Sequence, residues 1–153
     1  MHDMSVGPIL APSGTRNCNP DVKTASPTEF ELRNPAKMSN FILGELVSGG
    51  QVSFMVENLP KDGTGCPGRW MFNEMMKHFG SNVTGVQGFW VSPNSDNLKE
   101  VNRLTAAGRS LEEAAKDTWT GKRAADWGYL QVHVVAANGT AGSYTKVDVL
   151  FER

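Results

Sequence analysis

Histidine exchanges protons near neutral pH, its ordinary pKa being ~6.5, and His133 stands in a segment of this chain patterned to display it. Leu130 to Ala136 and Ser143 to Phe151 each alternate apolar and polar residues, and Ala-Asn-Gly-Thr-Ala-Gly joins them, so the pair reads as a β-hairpin with one polar face. That face presents Gln131, His133, Tyr144, Lys146 and Asp148. Pairing Ala136 with Ser143 sets His133 opposite Lys146 and Gln131 opposite Asp148. A one-residue slip would turn the charges into the core, where desolvating them is costly, so one face is strongly specified. His133 is then the acid/base candidate, Lys146 stabilises a developing phosphate or oxyanion charge, and Tyr144 and Asp148 orient them. Such a set suits metal-independent RNA cleavage. A solvated sheet face with ordinary cross-strand pairs is the plainer alternative.

A second group is Asn97, Asn102, Thr120, Lys122 and Arg123, with Asp96, Arg103 and Thr118 beside them. The run Trp-Thr-Gly-Lys-Arg ending at Arg123 offers a hydroxyl, two cations and a flexible backbone point, a combination able to hold phosphate or a nucleotide. It is not a Walker A loop, because the upstream glycine and the following Ser or Thr are missing. A solvated, cation-bearing helix face is its alternative. His78 falls near the end of a methionine-rich helix, where a cation favours the terminal carbonyls, and reads as structural. Trp70, Trp90, Trp119 and Trp127 read as packing anchors. No cluster of residues has metal-ligand spacing, so neither metal nor cofactor is expected. Cys18 and Cys66 could form one bridge but not a redox pair of the C-x-x-C type. Asn82-Val-Thr84 and Asn138-Gly-Thr140 match glycosylation acceptors, a short pattern that arises by chance.

The elements that would position these groups follow from periodicity. Pro8, Pro12, Pro20, Pro27 and Pro35 punctuate residues 1–36, which read as an extended arm with one short helix beginning at Ser26 and Pro27. Met38 to Val47 is a helical candidate with Phe41, Ile42 and Leu46 on one face, ended by Gly49 and Gly50. Val52 to Val56 alternates as a strand. After a loop from Lys61 to Gly68, Phe72, Met75, Met76 and Phe79 recur at three and four, predicting an amphipathic helix from Arg69 to Phe79. Val83 to Val91 resembles a strand, and Asp96 to Ala107 a helix. Ser110-Leu-Glu-Glu113 is a capping box, opening a helix that holds Ala114, Thr118, Gly121 and Ala125. Gly121 there marks a close contact with another backbone, or the helix kinks beside Thr120. The expected fold is α+β, a small, mainly antiparallel sheet from segments near Val52, Val83, Leu130 and Ser143 packed against three or four helices, with residues 37–153 as a single domain.

With 153 residues, 39% hydrophobic and 20% charged, the chain can bury a core of its own. A net charge of −1 argues against a DNA-wrapping surface. No apolar run reaches the ~18 residues that a membrane-spanning helix needs, so no membrane is expected. No classical signal peptide is visible at the N-terminus.

Asp96-Asn97-Leu98, Asn102-Arg103-Leu104, Ser110-Leu-Glu-Glu-Ala-Ala115, Thr118-Trp-Thr-Gly-Lys122 and Tyr144-Thr-Lys-Val-Asp-Val149, in that order, resemble the C-terminal variable modules of bacterial polymorphic toxins, including Rhs-repeat and filamentous-haemagglutinin-like proteins. The resemblance covers residues 68–153 and rests on overall order. It implies an antibacterial effector paired with a cognate immunity protein, secreted within a larger protein by a non-classical route and acting in the target-cell cytoplasm. It implies no single chemistry. The zinc deaminase pattern is missing, since Cys66-Pro67 stands alone, and the motifs of metal nucleases and ADP-ribosyltransferases find no match. The expected function is therefore a competition toxin acting on RNA or a nucleotide. The alternative is a non-enzymatic protein-binding module that engages its partner through the arm and the methionine-rich helix.

Overall fold

From Asp21 to Phe54 buried side chains recur mostly at every second residue, the mark of strands with one covered face. The computed structural model describes residues 6–153, and residues 1–5 of the expected arm lie outside the described residues. The chain gathers into two compact units, Met1–Val83 and Thr84–Arg153.

In the first unit, β1 (Gly7–Pro8), β2 (Asp21–Ala25), β3 (Glu29–Arg33), β4 (Ser39–Val47) and β5 (Gln51–Leu59) form an antiparallel meander, each strand pairing with the next. The prolines punctuate these strands. Pro8 lies in the outer strand, Pro20 precedes β2, and Pro27 and Pro35 stand in the turns on either side of β3, places where a missing N–H costs little. The arm and its short helix are thus corrected: residues 21–25 and 29–33 are strands, with Val22, Phe30 and Leu32 buried.

The helix expected over residues 38–47 is likewise corrected to β4. Ile42 packs inward opposite Val56, while Phe41 lies on the other face with the Arg33 guanidinium 4.7 Å from its ring. Residues that could share a helix face were drawn apart by pairing on both sides, and tertiary context outweighed local pattern.

The predicted amphipathic helix is α1 (Gly68–Phe79), which packs against β3, β4 and β5. Met71, Phe72, Met75, Met76 and Phe79 are buried there, and Phe54 meets Phe72 edge-on with centroids 5.1 Å apart. A Cβ at Gly44 would fall onto the Met75 side chain, so glycine lets helix and sheet approach. Burying a side chain of this size stabilises by roughly 1.5–3 kcal/mol, so these five side chains hold α1 firmly to the strands. His78 donates from Nε2 to the Ser26 carbonyl at 2.6 Å, and its ring lies 5.2 Å from that of Phe30.

One corner of this unit is fastened by polar groups. Cys18 and Cys66 form a disulfide across 48 residues. The fully buried Asn40 accepts the Cys66 N–H at 2.6 Å through Oδ1, and donates through Nδ2 to the carbonyls of Glu57 and Cys66. Asn34 donates to Asn40 Oδ1 and to the Asn17 carbonyl, and accepts the Asn19 N–H. Lys37 Nζ donates to the carbonyls of Pro60 and Thr64 and to Asp62. Hydrogen bonds from Thr64 and then Lys37 hold the Asp62 carboxyl well below the usual carboxylate range.

The second unit contains β6 (Gly85–Val91), α2 (Asp96–Ala106), α3 (Leu111–Lys116), α4 (Trp119–Asp126), β7 (Gln131–Asn138) and β8 (Lys146–Glu152). β8 runs between β6 and β7, antiparallel to both. Val86, Trp90, Val147, Val149 and Phe151 are buried on one face, as are Leu98, Val101, Ala114, Ala115 and Ala124 of the helices.

The capping box is formed: Ser110 Oγ accepts the Glu113 N–H, and the Glu113 carboxylate accepts the Ser110 N–H. The helix it opens stops at Asp117. Thr118 then caps α4, its Oγ1 accepting the Gly121 N–H at 3.0 Å and donating to the Ala115 carbonyl at 2.7 Å. Gly121 sits where a Cβ would meet the carbonyl oxygens of Ala115 and Lys116, the latter at 2.6 Å. The single expected helix is therefore two, and Gly121 takes the close contact at their junction.

The expected small sheet of four segments is overturned. Eight strands form, five in the first unit and three in the second. The C-terminal arrangement differs as well, because β8, expected only as the hairpin's second arm, is a central strand.

Candidate functional site

Sequence pattern assigned the faces of the hairpin well and its register poorly. Gln131 and His133 share a face with Lys146, Asp148, Leu150 and Glu152, and Val132 and Val134 share the other with Val149 and Phe151. The observed pairs are Gln131 with Glu152, His133 with Leu150 and, beyond a bulge between Val134 and Ala136, Ala136 with Asp148 and Asn138 with Lys146. Relative to the expected register the first half is displaced by four residues, an even number that leaves side chains on their faces.

The displacement separates the candidate catalytic residues. His133 pairs with Leu150, four residues along β8 from Lys146, or about 13 Å at ~3.3 Å per residue. His133 Nε2 lies 2.9 Å from Glu152 Oε1, with the two side chains 63% and 40% exposed. Glu152 was missed because its place beside His133 depends on that register. Lys146 Nζ stands 5.2 Å from the Phe89 ring centroid and 3.9 Å from Asp148 Oδ2. Asp148 Oδ1 is shielded and has no hydrogen-bond partner. Tyr144 lies before β8, its N–H donating to Asn102 Oδ1 at 2.7 Å and its carbonyl accepting from Asn102 Nδ2 at 3.0 Å.

The candidate phosphate ligands serve structure. Asn97 donates to Thr120 Oγ1 at 2.9 Å and accepts the Thr120 N–H, tying α2 to α4, and Thr120 is buried. Asn102 is occupied by Tyr144. Arg123 pairs with Asp126 at 2.9 Å, its guanidinium 5.5 Å from the Trp119 ring. Lys122 alone among them is exposed. The structure thus joins Asn97 to Thr120, and these five do not converge on one anion. Among the described residues no three His, Cys, Asp or Glu side chains gather as metal donors, and no helix is long and apolar enough to cross a membrane.

This unit also exposes several large apolar side chains. Phe89, 63% exposed, and Val91 lie on the face of β6 that continues the His133 face of the hairpin, by their pairing with Asp148 and Lys146. Leu130 and Val135, 60% and 67% exposed, flank and occupy β7. They are interspersed with Gln131, His133, Lys146, Asp148 and Glu152, so large apolar and polar side chains alternate over this surface. The surfaces expected for binding are not available in that form: the arm contributes three strands, β1 to β3, to a sheet, and Met71, Met75 and Met76 are buried.

No family model, no curated protein and no solved structure matches this chain.

Proposed function

We propose that this chain is a non-enzymatic protein-binding module whose docking surface is the open face of the second unit with its outer strand β7. One observation carries the reading: Phe89, Val91, Leu130 and Val135 stand exposed on this face and edge, while the acid/base and anion-binding candidates are dispersed or engaged in structural ties. The module associates stoichiometrically and turns over nothing. Incubating the purified chain with total RNA, DNA and NAD is expected to leave all three intact. Degradation of any of them that disappears in His133→Ala overturns the reading.

A second reading is favoured by the His133–Glu152 pair, an imidazole and a carboxylate 2.9 Å apart on an accessible face. Together they form an acid/base couple of the kind metal-independent RNA cleavage uses. In this reading the chain is a toxin acting on RNA or a nucleotide, part of a larger secreted protein, working in the target-cell cytoplasm and neutralised by a cognate immunity protein. Growth arrest on regulated cytoplasmic expression, abolished by both His133→Ala and Glu152→Gln, is its expected outcome. Soluble accumulation of the wild type without arrest rejects it.

A further inference from the structure

β7 is an outer strand without the usual protection. Its eight residues, Gln131–Asn138, include no Lys, Arg, Asp, Glu or Pro, and six of the eight are exposed. Outer strands of soluble proteins are commonly short, charged or broken by proline, because their unpaired N–H and C=O groups template further pairing. β1 follows that rule, with two residues ending in Pro8. β7 relies only on a bulge. Alternation in an antiparallel ladder turns about half of its backbone groups away from β8. Outside that ladder, the hydrogen bonds to the β7 backbone come from Thr145 and end on the Asn138 carbonyl at the turn.

What completes such an edge is another strand, and the sequence of β7 suits itself. Gln131 and His133 point to the open face, and Val132 and Val134 to the helical face. The bulge resets the alternation: Ala136 and Asn138, opposite Asp148 and Lys146, return to the open face, and Ala137, opposite Val147, to the helical one. A two-fold axis between Val134 and Val135 therefore sets Gln131 against Asn138, Val132 against Ala137 and His133 against Ala136, each pair on a single face. An axis through either valine would instead oppose open-face to helical-face positions. The matched register brings amide to amide and aliphatic to aliphatic, and it opposes no like charges.

We propose that β7 of one chain pairs antiparallel with β7 of a second copy about this axis, joining the two three-stranded arrays edge to edge. The proposal rests on the binding-module reading and names a partner for its outer strand alone; Phe89 and Val91, across β8 from β7, lie outside this contact. The contact is isologous, so association stops at two chains.

Sedimentation equilibrium of the wild type, from about ten micromolar to about one millimolar, tests it together with amide exchange at both ends of that range. A reversible dimer is expected, with β7 amides exchanging more slowly at high concentration. Val135→Lys with Ala136→Lys adds charge to the edge at exposed positions and is expected to weaken association by roughly tenfold or more. Circular dichroism and Tm should not change. A wild type that sediments as a monomer throughout, with β7 exchange independent of concentration, overturns the proposal without any variant. An undiminished dimer in the folded double variant overturns it equally. A monomer that leaves RNA and NAD intact removes the second copy and spares the binding-module reading; hydrolysis of either substrate removes that reading even where a dimer forms.

Discussion

The two units put their polar residues to opposite uses. In the first, Asn34, Asn40 and Lys37 turn toward backbone groups beside the Cys18–Cys66 bridge, closing one corner with amides, an ammonium and a covalent link. In the second, buried hydroxyls and half-buried amides make short ties, Thr118 to Gly121, Asn97 to Thr120 and Asn102 to Tyr144, while His133, Lys146 and Glu152 stand on an accessible face. Residue types that serve catalysis elsewhere here serve folding wherever backbone donors need partners. The motifs behind the toxin resemblance include these ties, so they report an arrangement of helices and strands more directly than a reaction.

If the polar corner carries the first unit, breaking it should exceed any change to the caps of the second. Asn40→Ala removes the partner of the Cys66 N–H and of the Glu57 and Cys66 carbonyls, and at about 1–3 kcal/mol for each group left unpaired the loss should be at least about 3 kcal/mol. Chemical denaturation gives the magnitude, and amide exchange at Cys66 gives the location. A loss under about 1 kcal/mol would show that water replaces the amide and that the corner is not the anchor. Opening the bridge with Cys18→Ala and Cys66→Ala should cost about 2–4 kcal/mol, the usual range for a disulfide, whose effect depends on the loop it closes. Equal stability of oxidised and reduced wild-type protein would contradict this.

The units also differ in how much the sequence disclosed. In the second, the capping box, α2 and the faces of the hairpin were legible because each has a short-range signal: Ser110 with Glu113, a period of 3.6, a period of two. The register was not, since a bulge at Val135 and a long turn are set by packing, and with the register went the His133–Glu152 pair. The break before Thr118 had a faint signal, a threonine three residues ahead of a glycine whose N–H it accepts. In the first unit, α1 was plain from its methionine and phenylalanine spacing. β2 to β4 were hidden because prolines, read as excluding strands, fall between them, and because Phe41, Ile42 and Leu46 satisfy a helical spacing as well as an extended one.

Gly121 tests whether the junction of α3 and α4 is as tight as its geometry indicates. Alanine for glycine within a helix ordinarily stabilises by about 1 kcal/mol. Here the added methyl would meet two backbone carbonyls that cannot rotate aside, so the sign should reverse and Gly121→Ala should cost about 1–3 kcal/mol, read from the denaturation midpoint. A gain in stability would mean that the helices slide apart freely and that Thr118 alone defines the break.

The smallest expected effect concerns the capping box, and it carries a sign in pH. Ser110→Ala removes the acceptor of the Glu113 N–H and should cost about 1 kcal/mol at neutral pH. The reciprocal half depends on ionisation: hydrogen bonds from Ser110 hold the Glu113 carboxyl below its ordinary range. A folded-state pKa below the unfolded one contributes stability that is complete above the unfolded pKa, about 4.3 for glutamate, and is lost as pH falls through the folded value. Protection of the Ser110 amide, its exchange compared with that of an unstructured amide at the same pH, should therefore fall on acidification. In Glu113→Gln, which keeps a neutral acceptor but cannot ionise, that loss of protection should disappear. An unchanged acid response in Glu113→Gln would assign the fraying of α3 to other carboxylates and leave the box as a cap made by Ser110 alone.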